Sequence, residues 1–338
     1  MKHVRFAAMA EAFLRETVVP WPALGSAEAK DMLLTAMLPL AGGTKPVQRS
    51  GFRPRLIYVV GGLGGGRGLS SSLELYDPQA ASWTQRAAMV GARAYHGCVA
   101  LDGKLYAVGG YGAGLESLDT AEVYDPKTDG WQPLAKMNTA RCEIGLVAVG
   151  GKIYAIGGSG GNDSTLESVE AYDPQLGTWA LVASMSGKRE SHASVVLDGK
   201  IYVIGGHGND TLDTAEVYDP QADSWQQVAS MPGGLHSFAA AVMGGKIYVT
   251  GGLNEEGDVL DSVFVYDPQA NAWTQLTSMS TSRSGHASAA VGGKLYVFGG
   301  SGDEGTLSTA EVYDPASDSW APVSSLTSVR SGVAAVAL

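Results

Sequence analysis

An all-β ring of sheets is the fold class that this sequence predicts, and three periodic features predict it. Apolar runs end in paired glycines at Gly61-Gly62, Gly109-Gly110, Gly157-Gly158, Gly205-Gly206, Gly251-Gly252 and Gly299-Gly300, with first glycines 48, 48, 48, 46 and 48 residues apart. Tyr76, Tyr124, Tyr172, Tyr218, Tyr266 and Tyr313 follow the pairs, each directly ahead of Asp-Pro. Seven residues beyond each tyrosine stands a tryptophan: Trp83, Trp131, Trp179, Trp225, Trp273 and Trp320. A period of this length, with four strand-sized segments per unit, is the mark of a β-propeller in which each repeat supplies one blade.

Residues 93 to 137 show how one unit divides. Residues 94 to 101 are small and apolar and form strand a; Asp102-Gly103 is a tight hairpin turn. Residues 104 to 108 form strand b, which Gly109-Gly110 closes. A ten-residue loop leads to strand c at residues 121 to 124, stopped by Asp125-Pro126, and Trp131 lies on strand d. Tyrosine to tryptophan is 7 residues in every copy, and tryptophan to the next glycine pair is always 26. Only the b–c segment varies in length, so it is a loop that tolerates change.

The first unit begins at strand b, residues 56 to 60, and the chain ends on an unpartnered strand a, residues 331 to 338. Six blades result only if that last strand joins the first blade. This closure ties the two ends of the repeat array together and removes long free sheet edges.

Composition narrows the partners. Net charge is -11, which disfavours a phosphate backbone and argues against nucleic acid. Hydrophobic residues are 45% and charged residues 17%, as in a folded protein, and 46 glycines suit short strands and turns. No apolar run approaches the length of a membrane span. Near the start, Glu11 interrupts an apolar run of five residues, too short for a signal peptide. Cys98 and Cys142 stand in no metal or redox spacing, which fits a reducing compartment and predicts a cytoplasmic or nuclear protein.

The glycine pair, tyrosine and tryptophan at these spacings resemble the kelch repeat, and all six copies carry the full set over residues 55 to 338. The resemblance implies a six-bladed kelch β-propeller, here closed by the C-terminal strand. Residues 1 to 40 carry two amphipathic helical patterns around Pro20-Trp21-Pro22, with Ser26 as N-cap of the second. His3-Val4-Arg5-Phe6, Phe13-Leu14, Pro22 and Asp31-Met32-Leu33-Leu34 are similar to the end of the BACK helical domain that precedes the propeller in BTB–BACK–kelch proteins. The expected organisation is therefore a short helical segment over 1–40, a linker over 41–54 and the propeller over 55–338. A BTB domain and the front half of BACK are not expected in this chain.

Candidate site residues fall in columns of the repeat. Ten residues after each tryptophan stand Arg93, Arg141, Arg189, Leu235, Arg283 and Arg330. Such a ring invites an acidic peptide, with Arg141, Arg189 and Arg283 as contacts. A rival reading pairs each arginine with Glu74, Glu122, Glu170, Glu216 or Glu311, two residues before the tyrosine. The one blade with Leu235 also has Phe264 in place of that glutamate, which favours pairing within a blade. Three residues past the arginine column are His96, Ile144, His192, Phe238, His286 and Val333. Three imidazoles on alternate blades can hold zinc, but histidine is common at this position in kelch repeats, so no metal is assigned. Irregular loop residues make the better contacts: Tyr95, Glu143 and His236 in the d–a loops, and Tyr111, His207, Leu253 and Ser301 after the glycine pairs. Cys142, beside Arg141, is placed for a lowered pKa, and Cys98 reads as a core residue.

The expected function is a protein-binding module without catalytic residues or cofactor, holding a target protein or peptide on the b–c/d–a loop face. The resemblance implies the substrate-recognition part of a kelch-like adaptor of a cullin-type ubiquitin ligase, with cullin contact only where a BTB domain is present. An actin-binding kelch protein is the alternative. A kelch-fold sugar-modifying enzyme, a copper oxidase or an epimerase, is a further one. The oxidase needs a tyrosine–cysteine pair on the axis, and neither cysteine has an obvious tyrosine partner in the sequence.

Overall fold

The computed structural model describes residues 56–66, 68–161 and 164–338. The expected helical segment over 1–40 and the linker over 41–54 lie outside the described residues, as does Arg67. The described chain is all-β: six four-stranded antiparallel sheets, each a blade, with four consecutive chain segments per blade except at the closure. No helix among the described residues is long and apolar enough to cross a membrane.

Blade one joins the two ends of the array. Its strands a to d are Ala334–Ala337, Ile57–Val60, Leu73–Asp77 and Ser82–Arg86. Ala335 faces Val59 and Ala337 faces Ile57 in the antiparallel register. Leu56 and Leu338 exchange both backbone hydrogen bonds at 3.0 Å. The ring is latched by its own C-terminal strand.

The inner strands of blades two to six are Gly97–Leu101, Gly145–Val149, Ala193–Leu197, Ala239–Met243 and Ala287–Val291. Each touches the inner strand on either side, and Ala334–Ala337 completes the circle between blades six and two. Their alanine, glycine, serine and valine content follows from this crowding around one axis, where bulky side chains have no room.

Large side chains fill the wedges between blades. The six Asp-Pro tyrosines are 1 to 4% exposed. Each ring leans on the tryptophan of its own blade with centroids 4.8 to 5.2 Å apart. Each indole N–H then donates to a carbonyl of the preceding blade, as from Trp131 to Ala87 at 2.9 Å. Trp83 donates to Ser324 at 3.0 Å and so bonds blade one to blade six. Rings of this size bury roughly 150–250 Å² each, so these columns carry much of the packing between blades.

The glycine pairs let neighbouring blades approach. Gly109 has φ of +65°, and a Cβ there would lie 2.4 Å from the Arg141 carbonyl oxygen. Gly110 donates its N–H to that same carbonyl at 2.9 Å. Any larger residue would push blades two and three apart.

Candidate binding face at the mouth of the propeller

The d–a loops and the residues after the glycine pairs meet at one end of the ring. Ala94 pairs with Tyr111, Glu190 with His207, His236 with Leu253 and Ser284 with Ser301, each as a short antiparallel bridge. The structure thus brings Tyr111, His207, His236, Leu253 and Ser301 to a common face, all half-buried.

The next residue of each d–a loop forms a collar around the axis. Tyr95, Glu143, Ser191, Ser237, Gly285 and Gly332 all have positive φ, between 51 and 60°. Each donates its backbone N–H to the carbonyl of the collar residue in the preceding blade, at 2.7 to 3.0 Å, and Tyr95 closes the circle onto Gly332. Six residues in this conformation turn their amides along the circumference and consume the backbone polar groups of the mouth. Four of them are not glycine, and that conformation carries a cost of order 1 kcal/mol or more per side chain.

Side chains on the collar interact mainly on one side. Glu143 accepts from the Tyr111 hydroxyl at 3.3 Å and, through its other oxygen, from the Ser191 hydroxyl. Glu190, the neighbouring carboxylate, accepts from Thr165 at 3.2 Å. The His207 and His236 rings meet edge to face with centroids 5.8 Å apart, and His236 Nδ1 lies 3.2 Å from the Ser237 hydroxyl. Burial pushes the Glu143 carboxyl above the usual carboxylate range, and the Glu190 charge adds to this against hydrogen bonds from Ser191 and Tyr111. His236 is lowered by burial and by His207. Ser191 and Ser237 were not singled out in the sequence. Their signal was the column itself: the two residues after the arginine position vary around the ring, whereas the arginine repeats in five blades.

Arg141, Arg189 and Arg283 do not face a partner. They are 0, 2 and 0% exposed. Arg141 donates to the carbonyls of Gly157 at 2.9 Å and Ser168 at 3.0 Å and to Glu170 at 2.8 Å. Arg189 and Arg283 repeat this with Glu216 at 2.7 Å and Glu311 at 2.6 Å, Arg93 does so with Glu122 at 2.7 Å, and Arg330 pairs with Glu74. Every pair lies within one blade. The expectation that these arginines contact an acidic peptide is corrected: their own blades' carbonyls and glutamates enclose them.

His96, His192 and His286 line the channel one residue deeper than the collar. Burial, reinforced by the adjacent arginines, lowers all three to about 3, so they are neutral. Among the described residues no group of three or more His, Cys, Asp or Glu is placed to hold a metal ion.

Two cysteine readings change. Cys142 is fully buried, and burial raises its thiol pKa instead of lowering it, because Arg141 is spent on Glu170. Cys142 also has a tyrosine neighbour after all. The Tyr111 phenol lies near its thiol and each shifts the titration of the other, while the thiol accepts from Ser117 at 3.3 Å and donates to the Ser159 carbonyl at 3.5 Å. Cys98 is pushed up to about 12 by burial.

A closed ring of six kelch-type blades with an irregular loop face defines a β-propeller of a class that commonly serves as a protein-interaction module. A family model described as the Attractin/LZTR1 beta-propeller matches residues 105–337, and the Kelch motif matches residues 52–90. The chain belongs to the Attractin/LZTR1 beta-propeller family. Among solved structures it is similar to the one titled "Structure of YjhT", with 18% identity and a TM-score of 0.69 over 81% of this chain and 95% of that one. At that identity the likeness concerns the fold. No curated protein matches the chain.

Proposed function

We propose that this propeller is a protein-interaction module that holds a target protein or peptide on its mouth face, with Tyr95, Tyr111, Glu143, His207, His236, Leu253 and Ser301 as contacts. The observation that supports this reading most is the contrast along one loop. In each d–a loop the buried position repeats as arginine in five blades, while the two positions after it differ around the ring. A framework needs repetition, and recognition of a single asymmetric target needs its absence. Affinity purification with mass spectrometry, using the full chain and a Tyr111→Ala/His207→Ala/His236→Ala variant, tests it. Loss of the recovered partners by a variant that still folds is the expected result; an unchanged partner set argues against this face.

The finer reading is a substrate receptor of a kelch-like, cullin-type ubiquitin ligase acting in the cytoplasm or nucleus. It rests on the resemblance of residues 1 to 40 to the end of a BACK domain. Co-purification of a cullin with a longer form that carries a BTB domain supports it; co-sedimentation of the propeller with filamentous actin favours the cytoskeletal alternative. A sugar-modifying enzyme gains one observation, the closeness of the Tyr111 phenol to the Cys142 thiol. Stoichiometric copper in the purified protein would support that reading over a binding module.

A further inference from the structure

The collar is lopsided. On the side of blades six and one its residues are Gly285 and Gly332, and the Tyr95 ring lies over them. A Cβ on Gly332 would come within 2.8 Å of that ring, and one on Gly285 within 3.7 Å. The opposite side carries Glu143, Ser191 and Ser237. Between them is a cavity of about 120 Å³, enough for about four water molecules.

Charge is unevenly answered in this molecule. Each buried blade glutamate has its arginine. At the opposite end of the ring, Asp125, Asp173, Asp219, Asp267 and Asp314 each have a lysine within 3.3 Å. Glu143 and Glu190 have neither among the described residues, although they are neighbours and half-buried. His96 and His192 also line this cavity, but their ring nitrogens are buried and the rings turn toward neighbouring strands: a Cβ on Gly145 would lie 2.8 Å from His192 Nε2, and one on Gly61 2.8 Å from His96 Cε1. The carboxylate facing the cavity is therefore that of Glu143, without a lysine or arginine beside it among the described residues.

The lining offers the Glu143 carboxylate, the Ser191 and Ser237 hydroxyls and the Tyr95 aromatic face. That combination suits a cationic head with several N–H donors on an apolar stem. We propose that this cavity receives one lysine or arginine side chain from a basic segment of the partner, with Glu143 as counter-charge and Tyr95 as aromatic wall. The inference rests on the mouth-face reading above and names the chemistry of its target.

Calorimetric titration of the full chain tests it, using end-capped glycine–serine peptides with one central arginine or lysine. Matched peptides carrying citrulline or norleucine are the neutral controls. The cationic peptides bind, and the neutral ones bind at least about tenfold more weakly. Glu143→Gln, checked for an unchanged fold by circular dichroism, abolishes that preference. Tyr95→Gly, which copies blades six and one, weakens the cationic peptides several-fold. Equal binding of charged and neutral peptides, no binding of any, or a preference that survives Glu143→Gln overturns the proposal. Free agmatine binding as tightly as the arginine peptide overturns the choice of a partner segment. If these fail while the triple mouth variant still loses its purified partners, the mouth-face reading stands and only the cation inference falls.

Discussion

Blade four and blade five solve one packing problem in opposite ways. Blade four consists of Ala193–Leu197, Lys200–Ile204, Ala215–Asp219 and Ser224–Val228. Blade five consists of Ala239–Met243, Lys246–Thr250, Val263–Asp267 and Ala272–Leu276. In blade four Arg189 donates to the Gly205 carbonyl at 2.9 Å, the Thr214 carbonyl at 3.1 Å and Glu216 at 2.7 Å. Glu216 in turn accepts from the Ser186 backbone N–H at 3.1 Å. Blade five replaces all three partners at once. Leu235 stands for the arginine and Phe264 for the glutamate, packed in one apolar cluster with Phe238. Pro232 takes the place of Ser186 and has no N–H to offer. One atom records the exchange: the Ser262 hydroxyl, whose counterparts bond the arginine in the other blades, is buried without a partner among the described residues. A buried ion pair with its hydrogen bonds and a well-packed apolar contact are thus interchangeable here, provided the whole set changes together.

Breaking the blade-four set halfway has the largest effect. Arg189→Leu leaves Glu216 buried and unpaired, with two carbonyls short of donors, and lowers stability by about 3–5 kcal/mol in denaturant unfolding. Leu235→Arg alone in blade five costs a comparable amount, and adding Phe264→Glu recovers most of it. A double-mutant cycle reads this coupling as more than about 1 kcal/mol, and additive losses contradict the pairing. Converting blade four outright, as Ser186→Pro/Arg189→Leu/Glu216→Phe, brings stability to within about 1.5 kcal/mol of the parent.

The smallest effect lies in pH. Burial lowers His192 to about 3 from its ordinary 6.5, so the unfolded chain takes up a proton that the folded one refuses. Stability is fully present above about 6.5 and falls as pH drops toward 3, by at most about 1.4 kcal/mol per pH unit for this residue. Phe238 holds the same place in blade five without titrating. His96 and His286 are lowered in the same way, so His192→Phe removes about one third of the histidine-linked loss of stability between pH 6.5 and 5, and an unchanged slope means that His192 does not contribute to it.

The legible parts of this sequence are those that repeat. Tyrosine, tryptophan and glycine-pair spacings carry the blades, and the surplus strand at the C-terminus carries the closure, because each reports a packing contact made six times. The Arg–Glu pairing is legible through Leu235 and Phe264, two exceptions in one blade. Pro232 became interpretable only once the N–H donated to the glutamate at that position was visible. The collar was hidden for another reason: it is made by backbone amides, which leave no side-chain signature, and Gly285 and Gly332 look like ordinary loop glycines. Cys142 misled because sequence adjacency to Arg141 says nothing about where that guanidinium goes.

If the repeating framework and the proposed recognition mouth are independent, partner recovery by the blade-four conversion shows it most directly. Quantitative affinity purification with Ser186→Pro/Arg189→Leu/Glu216→Phe is expected to return the same proteins, in the same amounts, as the parent chain. Loss of those proteins from a converted blade that is folded and as stable as the parent would contradict it, since the buried arginine would then be taking part in recognition.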